Sequence, residues 1–291
     1  MIIINLDHPG DLERLNQMPP ETNGVSITGS SDGSTVIELS SLSPTLEELI
    51  LYNVRIQGPV IFHEGLKTIF LGHVDSAFPK TRWIFPSTLE NFAIRSSAGT
   101  LDLRSVTAPS ITVHGTAAAD KIMYPEGLES LGIDELVFPA SQIPPYLRRL
   151  SLDSLEENTL EGAGVYESVT SLLLWDSTFG RPVGELFPNL ESLYLSNVSL
   201  SFGVVSLPAL RELTIAALYD EEKLVLDTPN LETLEIEDCE GLELPFFPRL
   251  SELMVDYPVR TNGYEVMNIN EYKHAWGLRT KAKNPYQAFS H

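Results

Sequence analysis

One cysteine in 291 residues, Cys239, rules out any internal disulfide. The chain is therefore not a disulfide-stapled secreted scaffold, and a reducing compartment is expected. Positive charge is also scarce: 19 Lys+Arg stand against 40 Asp+Glu, for a net charge of -21 and a pI ≈ 4.5. Nucleic acid and anionic membrane surfaces both need clustered Lys or Arg to displace counterions, so neither is an expected partner. No apolar run approaches the roughly 18 to 20 residues of a membrane span. The opening Met1-Ile2-Ile3-Ile4-Asn5-Leu6-Asp7 has no positive region, no small-residue cleavage site and an acid directly after its apolar run, which is not a signal-peptide pattern. The expected location is the cytoplasm, or a host cell reached by a non-classical route. Hydrophobic residues are not lacking. At 43% they allow a real core, in one large domain or two ordinary ones.

The dominant signal is repetition. Leu-x-x-Leu-x-Leu, with Ile, Val or Phe as substitutes, recurs at Leu46/Leu49/Leu51, Leu66/Ile69/Leu71, Leu89/Phe92/Ile94, Leu128/Leu131/Ile133 and Leu147/Leu150/Leu152. It continues at Val169/Leu172/Leu174, Leu190/Leu193/Leu195, Leu210/Leu213/Ile215, Leu231/Leu234/Ile236 and Leu250/Leu253/Val255, and weaker copies at Thr22/Val25/Ile27 and Ala108/Ile111/Val113 fill the gaps in phase. The mean interval is about 20.7 residues, inside the roughly 20–29 residues of leucine-rich repeats. Proline stands two residues before the first anchor at Pro44, Pro145, Pro188, Pro208, Pro229 and Pro248, and three before it at Pro86 and Pro125. Many of the 20 prolines thus punctuate repeats and do not mark linkers.

Period-2 alternation makes each motif a short strand with its anchors facing in. Stacked copies form a parallel sheet. About 12 residues remain for the return path, too few for a helix with two loops, so the returns should be extended or 3-10. Candidate return strands are Val60-Ile61-Phe62, Trp83-Ile84-Phe85 and Leu224-Val225-Leu226. The expected fold is a β-dominated solenoid, a horseshoe or arc with its parallel sheet on the concave face and extended or 3-10 segments on the convex face.

Over residues 20–258 the chain resembles the leucine-rich repeat family, and copies such as Ile143-Pro144-Pro145-Tyr146-Leu147-Arg148-Arg149-Leu150-Ser151-Leu152 are similar to the short repeats of bacterial effectors. The resemblance implies a partner site on the concave sheet. One departure stands out: where the family places Asn or Cys three residues after the last anchor, this chain has Val54, Val74, Leu136, Leu155, Val198 and Leu218, and only Cys239 fits. The turn must therefore satisfy its backbone groups in another way.

About 12 repeats over 20–258 are expected between an N-terminal cap, residues 1–19, and a C-terminal cap or tail, residues 259–291. The first holds Ile2-Ile3-Ile4 as a strand, then Asp7 as an N-cap before Pro9 and a short helix at Leu12-Glu13-Arg14-Leu15. Charge is divided unevenly. Residues 257–291 carry +3 and the first 256 carry -24.

Motifs for chemistry are missing. There is no phosphate loop, no His-Glu-x-x-His and no Cys-x-x-Cys. Gly29-Ser30-Ser31-Asp32-Gly33 matches a nucleophile-elbow pattern, but strand-like residues follow it where a helix is required. His8, His63, His73, His114, His274 and His291 contain no i, i+4 pair for zinc. His73 and His114 fall two strands apart, about 10 Å at the spacing of a sheet. Cys239 is expected to be a buried structural thiol, Asn197-Val198-Ser199 an accidental sequon, and Asp220-Glu221-Glu222 a solvated charge run. No catalytic residue, cofactor or metal site is expected.

Outward-facing positions give the candidate site. Ile50, Tyr52 and Phe70 form one apolar cluster, and Leu173, Trp175 and Tyr194 a second, on a face that a purely solvated sheet would keep polar. Beyond them, from the repeat at Leu210 onward, the outward positions hold Glu212, Glu235, Glu237, Glu252 and Asp256, an acidic strip with no Lys or Arg among those positions. The expectation is a non-enzymatic binding module whose partner is another protein, with a basic surface where it meets the strip. It would serve as effector or adaptor, with an inhibitor of a basic enzyme and an architectural component as alternatives. An enzyme using Tyr264, Tyr272, His274 and Trp276 is the remote one.

Overall fold

The computed structural model of the chain describes residues 1–6, 13, 17–30, 32–78, 81–96, 99–114, 119–134, 140–155, 160, 162–200, 204–217, 225–239 and 242–278. The helix expected after Asp7, the loop at Asp220-Glu221-Glu222, the positions Leu136 and Leu218, and the tail beyond Leu278 lie outside them. The chain is a parallel β-solenoid that divides into two compact units, Met1–Thr178 and Phe179–His291.

The first unit carries nine parallel strands in chain order: β1 (Ile2–Asn5), β2 (Gly24–Thr28), β3 (Glu48–Tyr52), β4 (Thr68–Ser76), β5 (Asn91–Ser96), β6 (Ser110–His114), β7 (Ser130–Asp134), β8 (Arg149–Asp153) and β9 (Ser171–Trp175). The second carries four: β10 (Ser192–Ser196), β11 (Glu212–Ala216), β12 (Thr233–Glu237) and β13 (Glu252–Val255). The anchors of every repeat are buried, apart from the half-buried Val255 in the last strand. The N-terminal segment expected to cap the repeats joins them as β1, which pairs with β2 in register, Ile4 opposite Ile27.

Two local devices recur at the turns. At Pro44, Pro208, Pro229 and Pro248 the proline occupies the second place of a β-turn, where its fixed φ is already correct. Its turns are closed by Leu46 N–H to the Ser43 carbonyl at 3.3 Å, Leu210 to Leu207 at 3.1 Å, Leu231 to Thr228 at 3.1 Å and Leu250 to Phe247 at 3.3 Å. At the other end of the strand, the eighth position of the motif is left-handed in seven repeats. Asn53, His73, Ser154, Asp176, Asn197, Ala217 and Asp238 all have φ between 42° and 55°, a region that short polar side chains tolerate.

This corner closes without a ladder of side-chain amides. The N–H of the left-handed residue donates to the carbonyl at the seventh motif position of the next repeat: Asn53 to Gly72 at 3.0 Å, Ser154 to Trp175 at 3.1 Å, Asn197 to Ala216 at 3.0 Å and Ala217 to Glu237 at 3.2 Å. The following residue is then free to be apolar and buried, as Val54, Val74, Leu155, Val198 and Cys239 are. Neighbouring turns satisfy one another's backbone, so no side-chain amide is needed there. Ala217 alone among these corner residues has neither glycine's freedom nor a polar group. Ala217→Gly is expected to raise stability by about 0.5–1 kcal/mol, measured by chemical denaturation; a loss of stability would show that the corner is unstrained.

The described return segments are extended or 3-10 with one exception, a single helical turn at Val183–Leu186, short enough to fit where a full helix with two loops would not. In the first unit Val60–Ile61, Arg82–Ile84, Gly99–Asp102 and Ala119–Met123 form a second parallel sheet, and Leu39–Ser41 and Ala140–Gln142 are 3-10 turns. In the second, Val204–Ser206 pairs with Val225–Asp227, and one return is a four-residue helix, α1 (Val183–Leu186). After β13 the chain leaves the repeat as a hairpin, Val259–Thr261 against Tyr264–Val266, followed by α2 (Ile269–Ala275). Asn268 caps α2 by accepting from the N–H groups of Asn270 and Glu271, while the Glu271 carboxylate accepts from Met267 N–H at 2.7 Å. No helix among the described residues is long and apolar enough to cross a membrane.

Candidate sheet-face binding site

Because the strands pair without slippage along most of each ladder, outward residues at equal motif positions stand in rows about 4.8 Å apart. One row of the first unit runs Ile3, Ser26, Ile50, Phe70, Ala93, Thr112, Gly132, Ser151, Leu173. The neighbouring row runs Asn5, Thr28, Tyr52, Gly72, Arg95, His114, Asp134, Asp153, Trp175.

Within these rows the first predicted cluster is assembled. Phe70 is 43% exposed and stands opposite the half-buried Ile50, and Tyr52 is 40% exposed. Tyr52 packs edge-on against His73, with ring centroids 5.4 Å apart. Its ring lies over Gly72 on the adjacent strand, so closely that a Cβ there would penetrate it. Gly72 is thus what allows the tyrosine to lie across β4. Ile3 and Met1, each 67% exposed, extend the apolar surface. Both lie in the segment expected as an N-terminal cap, and the signal for Ile3 is its alternation with the buried Ile4.

The second predicted cluster is split between the two units. Leu173, half-buried, and Trp175, 37% exposed, belong to β9 of the first unit, whereas Tyr194, half-buried, belongs to β10 of the second. In the second unit Tyr194, Thr214, Glu235 and Met254 share a row, with Ser196, Ala216 and Glu237 beside it. Glu212 and Glu252 flank Thr233 in a third row. Glu212, Glu252 and Asp256 are exposed, and Glu235 and Glu237 half-buried. The acidic strip therefore forms a contiguous surface over β11, β12 and β13, with the exposed Met254 and Tyr257 next to it.

Groups considered for chemistry lie elsewhere. Among the described residues no three His, Cys, Asp or Glu side chains are grouped to hold a metal. Cys239 is buried. The remote catalytic candidates at the C-terminus are largely occupied by packing: the Tyr272 hydroxyl donates to the Pro245 carbonyl, and the Trp276 indole N–H donates to Thr261 Oγ1 at 2.8 Å. Tyr264 and His274 line a shallow cavity of about 310 Å³. The strongest charge cluster is on the return sheet, where buried Asp102 is held by Arg104 and Arg82. Hydrogen bonds from Arg104, then from Arg82, hold its carboxyl well below the usual carboxylate range, which marks an ion pair built for the folded state.

No protein-family profile matches the chain, and comparison with curated proteins and with solved structures also finds no significant match.

Proposed function

We propose that the protein is a non-catalytic binding module of leucine-rich-repeat type that recognises another protein through the outward face of its parallel ladder. The observation that carries this reading is the group Ile50, Tyr52 and Phe70, large apolar side chains on the neighbouring strands β3 and β4 of one face, with the exposed Ile3 two strands from Ile50 in the same row. A monomer gains nothing from holding such side chains in water, and aromatic residues of this kind are the usual anchors of interfaces. The site needs no cofactor. The buried lone cysteine suits a reducing compartment, either the cytoplasm or a host cell into which the protein is delivered, and the proposed role is that of an effector or adaptor.

Affinity capture with the full chain tests the site. Tyr52→Ala and Phe70→Ala should each weaken binding of the captured protein by about 30-fold or more, with the fold retained by circular dichroism. Gly72→Ala should act in the same direction by displacing the Tyr52 ring while keeping every aromatic group. Unchanged affinity in all three variants would remove the site from this face.

A second reading rests on the acidic strip of β11, β12 and β13. A basic protein surface, including that of an enzyme inhibited by capture, would be drawn to five carboxylates with no cation in their rows, and its association would slow as salt rises. A captured partner whose binding is indifferent to ionic strength would contradict it.

A further inference from the structure

A cavity of about 740 Å³ opens on the return-segment side of the first unit, among residues 38–78. Its origin is local. Val36–Ile37 and Arg55–Ile56 run parallel, and their pairing ends with the Gln57 N–H donating to the Ile37 carbonyl at 2.8 Å. Beyond that bond the two segments diverge: Glu38 leads into the 3-10 turn Leu39–Ser41, while Gly58, at φ 88°, turns its chain into Val60–Ile61. Val60–Ile61 is the edge strand of the return sheet and pairs only with Arg82–Ile84. Among the described residues no strand bridges the gap between it and the 3-10 turn.

The floor of the opening is hydrophobic core: Leu42, Leu49, Phe62 and Leu66 line it and are at most 7% exposed. At its rim stand Ile61 and Phe78, which are 54% and 55% exposed. The volume lies within the range of small-molecule sites, and so does the composition, apolar with a few polar groups. Among the described lining residues Glu38 is the only carboxylate, no Lys or Arg is present, and His63 is the one other titratable group. A hydrophobic anion entering here would meet an uncompensated negative charge. A hydrophobic cation would meet a counter-ion, with the aromatic rings of Phe62 and Phe78 also in the wall.

We propose that this cavity binds a small hydrophobic amine, its aryl or alkyl body on the Leu42, Leu49, Phe62 and Leu66 floor and its ammonium group beside Glu38. The site is independent of the protein-binding face. It draws on the opposite side of the same turns, and its occupancy requires no partner protein.

Methyl NMR titration of the full chain with 4-phenylbutylamine, 4-phenylbutan-1-ol and 4-phenylbutyrate tests it. The amine should shift the methyl signals of Leu42, Leu49, Ile61 and Leu66 saturably, and bind about 3- to 10-fold more tightly than the isosteric alcohol, with the carboxylate weakest. Glu38→Gln, a substitution at an exposed residue, should lower amine affinity to that of the alcohol and leave the alcohol unchanged. The proposal fails if the amine produces no saturable shift or shifts other methyls instead. It fails equally if all three compounds bind alike, or if Glu38→Gln weakens alcohol and amine to the same degree.

Discussion

Phe85→Ala is expected to destabilise the first unit by about 3–5 kcal/mol, the largest effect of any single truncation considered. Phe85 is 1% exposed and sits between two other rings, stacked on Phe62 at 5.0 Å between centroids and edge-on to Phe92 at 4.8 Å. Phe92 is an anchor of β5, whereas Phe62 and Phe85 each directly follow a return strand. The three rings therefore tie the two parallel sheets of the unit together. A repeat contacts chiefly its neighbours, so the void left by alanine cannot be filled by distant side chains. Denaturant unfolding should show the loss as a lower midpoint; a change below about 1 kcal/mol would mean that the rings repack, as volume-tolerant cores do.

Tyr272→Phe should cost about 1–3 kcal/mol in the second unit although it removes a single oxygen atom. The Tyr272 hydroxyl accepts from the Phe247 N–H at 2.6 Å and donates to the Pro245 carbonyl at 2.8 Å. It thereby pins α2 to the return segment before β13. The tyrosine is fully buried, so neither backbone group regains water when the oxygen is lost. Alkaline titration supplies an independent readout. Burial pushes the Tyr272 hydroxyl up to about 12, with the Phe247 hydrogen bond acting in the opposite sense. An unfolded tyrosine ionises near 10, so between roughly pH 10 and 12 the unfolded chain releases a proton that the native state keeps. Stability is then complete below pH 10 and falls as pH rises through the native value. Tyr166, also raised to about 12 by burial, adds a similar decline in the first unit. The Phe variant should lose the Tyr272 part of this slope in the second unit; an unaltered slope would mean that Tyr272 is not the group retaining its proton.

Much of the ladder was open to reading from the sequence because a solenoid uses one local rule many times. Leu150 and Leu152 are buried for the same reason as Leu193 and Leu195, and twelve copies average out the irregularities of any one. The turn prolines were legible on the same grounds, since Pro44, Pro208, Pro229 and Pro248 each preset φ in a turn only four residues long. The clusters on the sheet face were less so. Position parity placed Tyr52 and Phe70 outward, but only the register of β3 against β4 shows that Gly72 makes room for the tyrosine ring.

Three features belong to the tertiary structure alone. The left-handed corner is closed by hydrogen bonds between turns, and Asn53, Ser154 and Ala217 share no side-chain chemistry that would announce it. The division at Thr178 and Phe179 falls inside an unbroken repeat pattern, so periodicity gives no sign that Trp175 and Tyr194 belong to different units. The cavity beside Glu38 exists because two paired segments part company at Gln57 and Gly58. Sequence by itself determined what repeats: inward anchors, turn prolines, an acidic surface and a lone cysteine, all set by local periodicity and composition. Tertiary structure decided what happens between repeats, because hydrogen bonds, ring contacts and gaps there depend on residues about twenty positions apart, whose meeting no local pattern encodes.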